Sequence, residues 1–146
     1  MITEKISHFI AETRAEDIPQ DAIELARLGI TDFIGVTLAG LEEEQSQIIV
    51  DYARKTGGVP KATIIGSGFE TSPYLAALAN GTLGHSLDYD DIAVSLVGHP
   101  SVFLVPSILA IAEDMNASGK DVLSAYVIGY EVASHVARPI LQSHYT

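Results

Sequence analysis

Residues 79–101 carry the densest group of side chains able to do chemistry in this sequence. Small and apolar residues flank them, and no Lys or Arg occurs between Lys61 and Lys120. Acids and imidazoles enclosed by apolar sequence indicate a lined pocket rather than a solvated loop. The chemically capable members are Asn80, His85, Asp88, Tyr89, Asp90, Asp91 and His99.

The histidines and acids of this stretch are of the types found in proton-transfer sites. His85 and Asp88 are three residues apart, so they share one face if the preceding helix continues to Leu87. A carboxylate beside an imidazole fixes the tautomer of the ring, which is the usual arrangement of a histidine that moves protons. His99 precedes Pro100, which holds it in extended or turn backbone ahead of the next helix.

Other interpretations of the same residues, both structural and metal-binding, stay open at this point. An acid-rich loop can be solvated, and His85 can be a hydrogen-bonded core residue. A divalent metal held by Asp88, Asp90, Asp91 and a histidine is chemically possible. The spacing matches neither an EF-hand loop nor an HExxH helix, so we predict no metal site.

The remaining serines and histidines receive no catalytic role. Ser86 and Ser101 lack the strand-turn-helix context of a nucleophile elbow, so we predict no covalent catalysis. No cluster of acids or nucleophiles surrounds His8, His135 or His144 in the sequence. Any chemistry is therefore expected in the central stretch.

Composition excludes several classes of function. The chain has 146 residues, a formal net charge of −11, an isoelectric point near 4.6 and no Cys. This acidic balance argues against nucleic-acid binding, which requires clustered Lys and Arg. The lack of Cys excludes disulfide and thiolate chemistry, and the charged N-terminus lacks the apolar centre of a signal peptide. We therefore expect a cytoplasmic protein.

One stretch free of charged residues, residues 92–112, has about the length of a membrane-spanning helix. It contains Pro100 and Pro106, which would interrupt the hydrogen bonds of such a helix. We predict a loop followed by a buried helix there, and no membrane contact.

Apolar periodicity predicts an all-α domain of about six helices with almost no sheet. Lys61–Gly66 is the only run typical of a strand, and we expect a short ribbon or an extended connector there. We expect Asp17 and Ser101 to cap the helices that follow them. The helices are predicted at residues 2–14, 21–39, 42–56, 73–85, 102–115 and 121–138.

Several of these helices are apolar on more than one side. Residues 21–39 carry apolar side chains around most of the circumference, which predicts a central and largely buried helix. Ala77, Gly81 and Gly84 form a narrow face that lets another backbone approach closely. Because a six-helix domain can bury only part of this apolar surface, we expect some faces to be left for a partner or for further chain.

Three motifs in a fixed order give the chain a specific resemblance. They read ALANGTLGHSLDYDD, GHPS and VPSILAIAE, and the segments ITDFIG, KATIIG and DVLSAYVIGYEV extend the match outward. With these motifs the chain resembles the MmgE/PrpD family over essentially its full length. That family includes 2-methylcitrate dehydratase, cis-aconitate decarboxylase and iminodisuccinate epimerase.

The resemblance implies that residues 1–146 are the N-terminal part of a helical large domain whose α/β lid lies outside this chain. It implies a lyase or isomerase, with a hydro-lyase favoured, that moves protons next to a carboxylate without a metal or organic cofactor. The active-site residues of the family fall on Asp88 and His99. The candidate supporting residues around them are Asn80, His85, Tyr89 and Asp91.

The expected partners follow from the resemblance and from the charge of the site. Members of the family handle small di- and tricarboxylates, usually as homodimers. Such a substrate requires cationic groups, which residues 79–101 lack. We therefore expect a homo-oligomer or a complementing C-terminal chain, and no activity from this chain alone. The alternative is a truncated, non-catalytic chain that serves as a subunit or interaction module.

Overall fold

Six α-helices and one short β-hairpin make up the part of the chain that the structure describes, which confirms the all-α prediction. The structure is a computed structural model, and it describes residues 1–140. The elements are α1 (Ile2–Glu12), α2 (Gln20–Ala39), α3 (Glu44–Thr56), β1 (Ala62–Ile64), β2 (Phe69–Thr71), α4 (Pro73–His85), α5 (Pro100–Met115) and α6 (Gly119–Ala137). Short 3₁₀ turns precede α2, join α2 to α3 and follow α6.

Helix α4 is the centre of the fold, because it contacts α2, α3, α5 and both strands of the hairpin. Its small residues permit this close packing. A Cβ atom on Gly84 would lie 2.2 Å from Cε2 of Phe33 in α2, and one on Gly81 would lie 3.2 Å from the carbonyl oxygen of Val102 in α5. The predicted close approach of another backbone is therefore confirmed at Gly81, whereas the close neighbour of Gly84 is the ring of Phe33.

The buried apolar side chains form two clusters. The first joins α3, the hairpin, α4 and α5, and contains Val50, Ala53, Ala62, Ile64, Ala76, Ala79, Leu83 and Ala110. The second joins α2, α5 and α6, and contains Ala26, Phe33, Val105 and Tyr126. Helix α4 belongs to the first cluster through Leu83 and touches the second through Gly84. Its C-terminal end, where His85 lies, is thereby held by both clusters.

The hairpin is antiparallel, with Ile64 of β1 paired to Phe69 of β2. Its turn contains Gly66 and Gly68 at φ +74° and +64°, a backbone region that Gly enters without strain. The short ribbon expected at Lys61–Gly66 is confirmed. The partner strand was not predicted, because three residues are too few to show an alternating pattern.

Two predicted helix caps are wrong. Pro19, and not Asp17, takes the N-cap position of α2, and the Asp17 carboxylate instead accepts a backbone N–H at the start of the preceding 3₁₀ turn. Ser101 lies inside α5, whose N-cap is His99. The cause is that Pro100 occupies the first helical position, where a missing N–H leaves no hydrogen bond unmade.

Helix α2 is less buried than its composition predicted. Only Ala26, Phe33 and Thr37 are buried, whereas the side chains of Leu25 and Leu28 are 68% and 66% exposed. Helix α1 has no buried residue. The prediction of a largely buried α2 is therefore wrong for residues 1–140, because no element within that range covers the outer face of the helix.

The uncharged stretch at residues 92–112 divides into a loop and α5, as predicted. Helix α5 starts at Pro100 and contains Pro106, and both prolines are buried. Within the described chain, no helix combines the length and the apolarity that crossing a bilayer requires.

Candidate active site

A loop of residues 86–99 joins α4 to α5 and carries most of the predicted site. The backbone carbonyl of Ser86 accepts a hydrogen bond of 2.8 Å from the side-chain amide of Gln45 in α3. The hydroxyl of Ser95 lies 3.3 Å from the hydroxyl of Ser134 in α6. The loop is therefore tied to two helices other than the pair that it connects.

The start of this loop packs directly against the end of α2. A Cβ atom on Gly40 would lie 2.0 Å from Oγ of Ser86 and 2.6 Å from the carbonyl oxygen of Leu83. The Ser86 hydroxyl donates to that same carbonyl at 2.8 Å. Gly40 is therefore required by the close approach of the end of α4 and the start of the loop.

Four side chains from the end of α4, the loop and the start of α5 meet in one group, which we name the His–Asp cluster: His85, Asp88, Asp90 and His99. One nitrogen or carboxylate oxygen from each lies within 4.8 Å of the others. The two imidazole rings meet edge to face, with centroids 4.8 Å apart and ring planes at 70°. The structure therefore brings together the two predicted histidines and two of the three acids.

Asp90 is the centre of the cluster, although no catalytic or supporting role was predicted for it. Its side chain is fully buried, at 0% exposure, and its Oδ1 lies 2.9 Å from Nδ1 of His85. Its Oδ2 lies 3.2 Å from Nδ1 of His99 but has no hydrogen-bond partner within residues 1–140. The ring nitrogen points at the backbone carbonyl of Asp90, 3.3 Å away. Since burying a carboxylate oxygen unpaired is unfavourable, Oδ2 is a candidate contact for a donor or a cation.

No periodic pattern in the sequence separates Asp90 from its neighbouring acids. The available signal was chemical: a carboxylate is buried only with polar partners, and His85 and His99 are the polar side chains at hand. The predicted partner of His85 was Asp88, whose Oδ1 is 4.0 Å from Nδ1 of the ring. The condition for one shared helix face is not met, because α4 ends at His85 and does not continue to Leu87.

Asp88 lies at the solvent side of the cluster. Its side chain is 76% exposed, and its Oδ1 is 3.7 Å from Nε2 of His99. Its φ of +55° places it in the left-handed region, which Asp enters more readily than most residues with a side chain. The cluster therefore has a buried acid, Asp90, on one side and an exposed acid, Asp88, on the other.

The arrangement assigns the hydrogens of both rings. Nδ1 of His85 faces a carboxylate oxygen of Asp90, and Nδ1 of His99 faces a backbone carbonyl. Ionised carboxylates and carbonyls only accept, so each Nδ1 donates and each Nε2 of a neutral ring is left as a proton acceptor. Nε2 of His99 faces the exposed acid, so this atom can exchange a proton with a molecule bound from solvent.

Asp91 lies outside the cluster, because it serves the start of α5. Its Oδ1 accepts the backbone N–H of Ser101 at 3.0 Å, which satisfies one of the free donors of the helix N-terminus. The Ser101 hydroxyl lies 2.7 Å from the hydroxyl of Tyr126 in α6. Burial raises the pKa of the Tyr126 phenol, and the charge of Asp91 raises it further, although the hydrogen bond with Ser101 acts in the opposite direction.

The other two predicted supporting residues also lie outside the cluster. Asn80 is buried, and its amide accepts the N–H of Ile65 at 2.8 Å and donates to the carbonyl of Thr63 at 2.9 Å. It therefore fastens α4 to the hairpin, and it acts on the site only through the helix that carries His85. Tyr89 is exposed beside the cluster.

The histidines that received no role contribute nothing to the cluster. His8 and His135 lie on exposed helix surfaces, where each contacts an acid one turn away, Glu12 and Glu131. His144 lies outside the described residues. Within residues 1–140, the His–Asp cluster is the only place where three or more His, Asp or Glu side chains come close enough to hold one ion.

Comparison with known proteins gives the site a family context. Cis-aconitate decarboxylase of Aspergillus terreus is 25% identical to this chain over 147 residues, which cover 97% of this chain and 30% of that protein. Cis-aconitate decarboxylase of Mus musculus is 28% identical over 136 residues, 90% of this chain and 28% of that protein. A probable 2-methylcitrate dehydratase of Saccharomyces cerevisiae is 33% identical over 131 residues, 80% of this chain and 25% of that protein.

The chain spans less than a third of the length of the curated relatives that it matches. The family model of the MmgE/PrpD N-terminal domain matches residues 4–146, which is nearly the whole chain. The predicted resemblance is therefore confirmed, and the chain belongs to the MmgE/PrpD family through its N-terminal domain.

Proposed function

We propose that this chain forms one wall of the active site of a lyase or isomerase that acts on a small di- or tricarboxylate. One observation carries the proposal: Nε2 of His99 is free to accept a proton at the solvent side of a cluster whose rings are oriented by Asp90. The substrate class is supported by the relatives named cis-aconitate decarboxylase and probable 2-methylcitrate dehydratase.

His99 is the proposed proton carrier. In a dehydration, its Nε2 removes the proton from the carbon next to a carboxylate, the C–H electron pair forms the double bond, and hydroxide leaves the neighbouring carbon and takes a proton from solvent. In a decarboxylation, CO₂ leaves without the electron pair of its C–C bond, and the protonated ring delivers its Nε2 proton to the resulting carbanion. Asp90 holds the ring in the required tautomer through its backbone carbonyl, and the Oδ1 of Asp88, 3.7 Å from Nε2, stabilises the imidazolium form. His85 supports the group by its hydrogen bond to Asp90.

The charge of the cluster calls for a second, cationic wall. In residues 1–140, the ion pairs of the cluster are all between its own histidines and aspartates. A substrate with two or three carboxylates would be repelled by Asp88 and Asp90 unless Lys or Arg side chains faced them. We propose that these cations come from a further part of the protein or from a partner subunit.

The test is the turnover of cis-aconitate and of 2-methylcitrate by the full-length protein. His99→Ala should lower kcat by about 10²- to 10⁴-fold, the usual contribution of a general acid or base. His8→Ala is the matched control, because it removes an exposed histidine of α1 far from the loop in sequence, and it should leave kcat unchanged. Unchanged turnover in a folded His99→Ala protein would exclude the proposed role.

A second candidate function is a non-catalytic subunit or interaction module. The exposed leucines of α2, Leu25 and Leu28, favour it, because they form an apolar surface that a partner can cover. The two candidates give opposite results when this chain is mixed with the C-terminal part of a relative. Restored turnover supports the enzyme, whereas complex formation without turnover of either acid supports the module.

A further inference from the structure

We propose that the His–Asp cluster is also a binding site for a divalent transition-metal ion of the Zn²⁺ type. The observation behind it is the Oδ2 atom of Asp90, which belongs to a fully buried side chain and has no hydrogen-bond partner in residues 1–140. This atom points toward His99, 3.2 Å from its Nδ1. An ion bound there would give Oδ2 a ligand bond, where it now has an ionic contact with a ring nitrogen and no hydrogen bond.

The spacing of the four side chains suits a tetrahedral ion. Bonds of about 2.0–2.2 Å place neighbouring ligand atoms of a tetrahedral zinc site about 3.2–3.6 Å apart. The nitrogen-to-oxygen separations here run from 2.9 Å, between His85 and Asp90, to 4.0 Å, between His85 and Asp88. The pairs that involve His99 use different ring atoms: its Nδ1 lies 3.2 Å from Oδ2 of Asp90, and its Nε2 lies 3.7 Å from Oδ1 of Asp88. With one ligand atom taken from each side chain, all four atoms lie within 4.8 Å of one another. The cluster must therefore contract by roughly 1 Å at its widest separation to surround an ion.

The types of the four side chains select the ion. Two imidazoles favour Zn²⁺ and its neighbours among the transition metals, whereas Mg²⁺ and Ca²⁺ prefer sites made of oxygen alone. Two carboxylates and two neutral imidazoles carry a total charge of −2, which a divalent cation neutralises. Within the described residues no Lys or Arg pairs with either acid, so no fixed cation competes for the position.

The ligands are also held in place by contacts outside the cluster. His85 ends a helix that packs on two core clusters, and the Gln45 amide holds the loop at Ser86. Asp91 fastens the far end of the loop to the start of α5, next to His99. Such outer contacts keep metal ligands oriented. The exposed side chain of Asp88 leaves a path for an ion to enter.

A metal ion at Nδ1 of His99 would displace the proton that this nitrogen donates to the carbonyl of Asp90, and an ion at Nε2 would occupy the atom that accepts a proton from substrate. If His99 carries the proton in turnover, which rests on the proposed function, then Zn²⁺ inhibits that turnover and does not assist it. The binding of the ion stands apart from this consequence, because it depends only on the geometry of the cluster. Binding and inhibition are therefore measured separately.

The test is a titration of the purified protein with ZnCl₂ by calorimetry and with CoCl₂ by visible absorption. We expect one ion bound per chain at the cluster, with the intense Co²⁺ absorption of four-coordinate geometry. His99→Ala and Asp90→Asn should each weaken binding by at least about tenfold. His8→Ala and His135→Ala are the matched controls, because each removes a surface histidine paired with a glutamate, and they should leave the cluster affinity unchanged.

Three results would overturn the proposal: no Zn²⁺ binding at millimolar concentration, a loss of binding in the surface variants in place of the cluster variants, or a Co²⁺ spectrum of six-coordinate type. If Asp90→Asn fails to fold, as judged by circular dichroism, His99→Ala decides alone. Failure of metal binding leaves the proposed function intact, because the turnover of His99→Ala is measured in the presence of a chelator.

Discussion

Helices α1 and α4 have similar lengths, 11 and 13 residues, yet α4 buries six residues and α1 buries none. Helix α1 has an apolar stripe with charged residues beside it, whereas α4 is composed mostly of small and apolar residues on all sides. The apolar stripe of α1 predicted that one face packs against another element. The small and apolar residues of α4 predicted a helix that neighbouring elements surround. The comparison shows that the apolar stripe of α1 is not covered within residues 1–140, whereas the small residues of α4 accompany burial.

The candidate site lies at the end of the enclosed helix. His85 is the last residue of α4, and the loop that follows is held by α2, α3 and α6. A side chain on a well-packed element keeps its position within the narrow limits that proton transfer requires. The contrast with α1 therefore concerns function as well as packing, and three pairs of substitutions, each a test with its matched control, examine these environments.

The largest expected effect is at the contact between α2 and α4. Phe33→Ala removes a fully buried ring that lies against Gly84, and should lower the free energy of unfolding by about 3–5 kcal/mol. Phe9→Ala, the matched change on α1, should cost less than about 1 kcal/mol, because the ring is already exposed. Urea denaturation of both variants measures the difference. Equal losses would show that α1 packs as firmly as α4.

An intermediate effect is expected at two glycines, because the free energy of unfolding should change with opposite signs at a crowded and at an open position. Gly84→Ala places a Cβ within 2.2 Å of the Phe33 ring and should destabilise the fold by about 1–3 kcal/mol. Gly35→Ala in α2 meets nothing within 4 Å and should stabilise by about 0.5–1 kcal/mol, because Ala is the better helix former. Thermal denaturation distinguishes the two. The same sign in both variants would contradict the close contact at Gly84.

The smallest expected effect is at Tyr126, which supports α5 from α6. Tyr126→Phe removes the hydrogen bond with Ser101 and should cost about 0.5–1.5 kcal/mol at neutral pH. Because the folded chain raises the pKa of this phenol above its ordinary value of 10.0, folding favours the neutral form. The associated stability is present below pH 10.0 and is lost as the pH rises through the higher pKa of the folded chain.

The measurement for Tyr126→Phe is the free energy of unfolding at neutral and at alkaline pH. The variant should lose less stability than the parent on the alkaline side, because it has no phenol to ionise at that position. Tyr74→Phe, at an exposed position of α4, is the control and should follow the parent. An unchanged alkaline slope in Tyr126→Phe would contradict the raised pKa.

Much of the fold could be predicted because helix periodicity is local. The observed helix ends lie within two residues of the predicted ones. The errors concern properties that depend on distant chain. Whether Asp17 or Ser101 caps a helix depends on which neighbour reaches the free N–H groups, and the burial of α2 depends on what covers Leu25 and Leu28.

The location of the site could be predicted from the sequence, whereas the contacts among its side chains could be predicted less well. The sequence placed His85, Asp88 and His99 in one pocket, and the structure brings them together. The central role of Asp90 could not be predicted, because three acids in four positions show no pattern that says which one the loop buries. That choice is made by tertiary contacts such as the hydrogen bond that draws Asp91 to α5.

The left-handed backbone of Asp88 has a consequence for how this loop can change over time. At φ +55°, Asn and Gly fit nearly as well as Asp, whereas branched residues do not. A single Asp88→Asn substitution would remove a negative charge and leave the backbone conformation unchanged. Among descendants of this sequence, a conserved loop shape would therefore not show that the chemistry is conserved. The identity of the side chain at position 88 would show it.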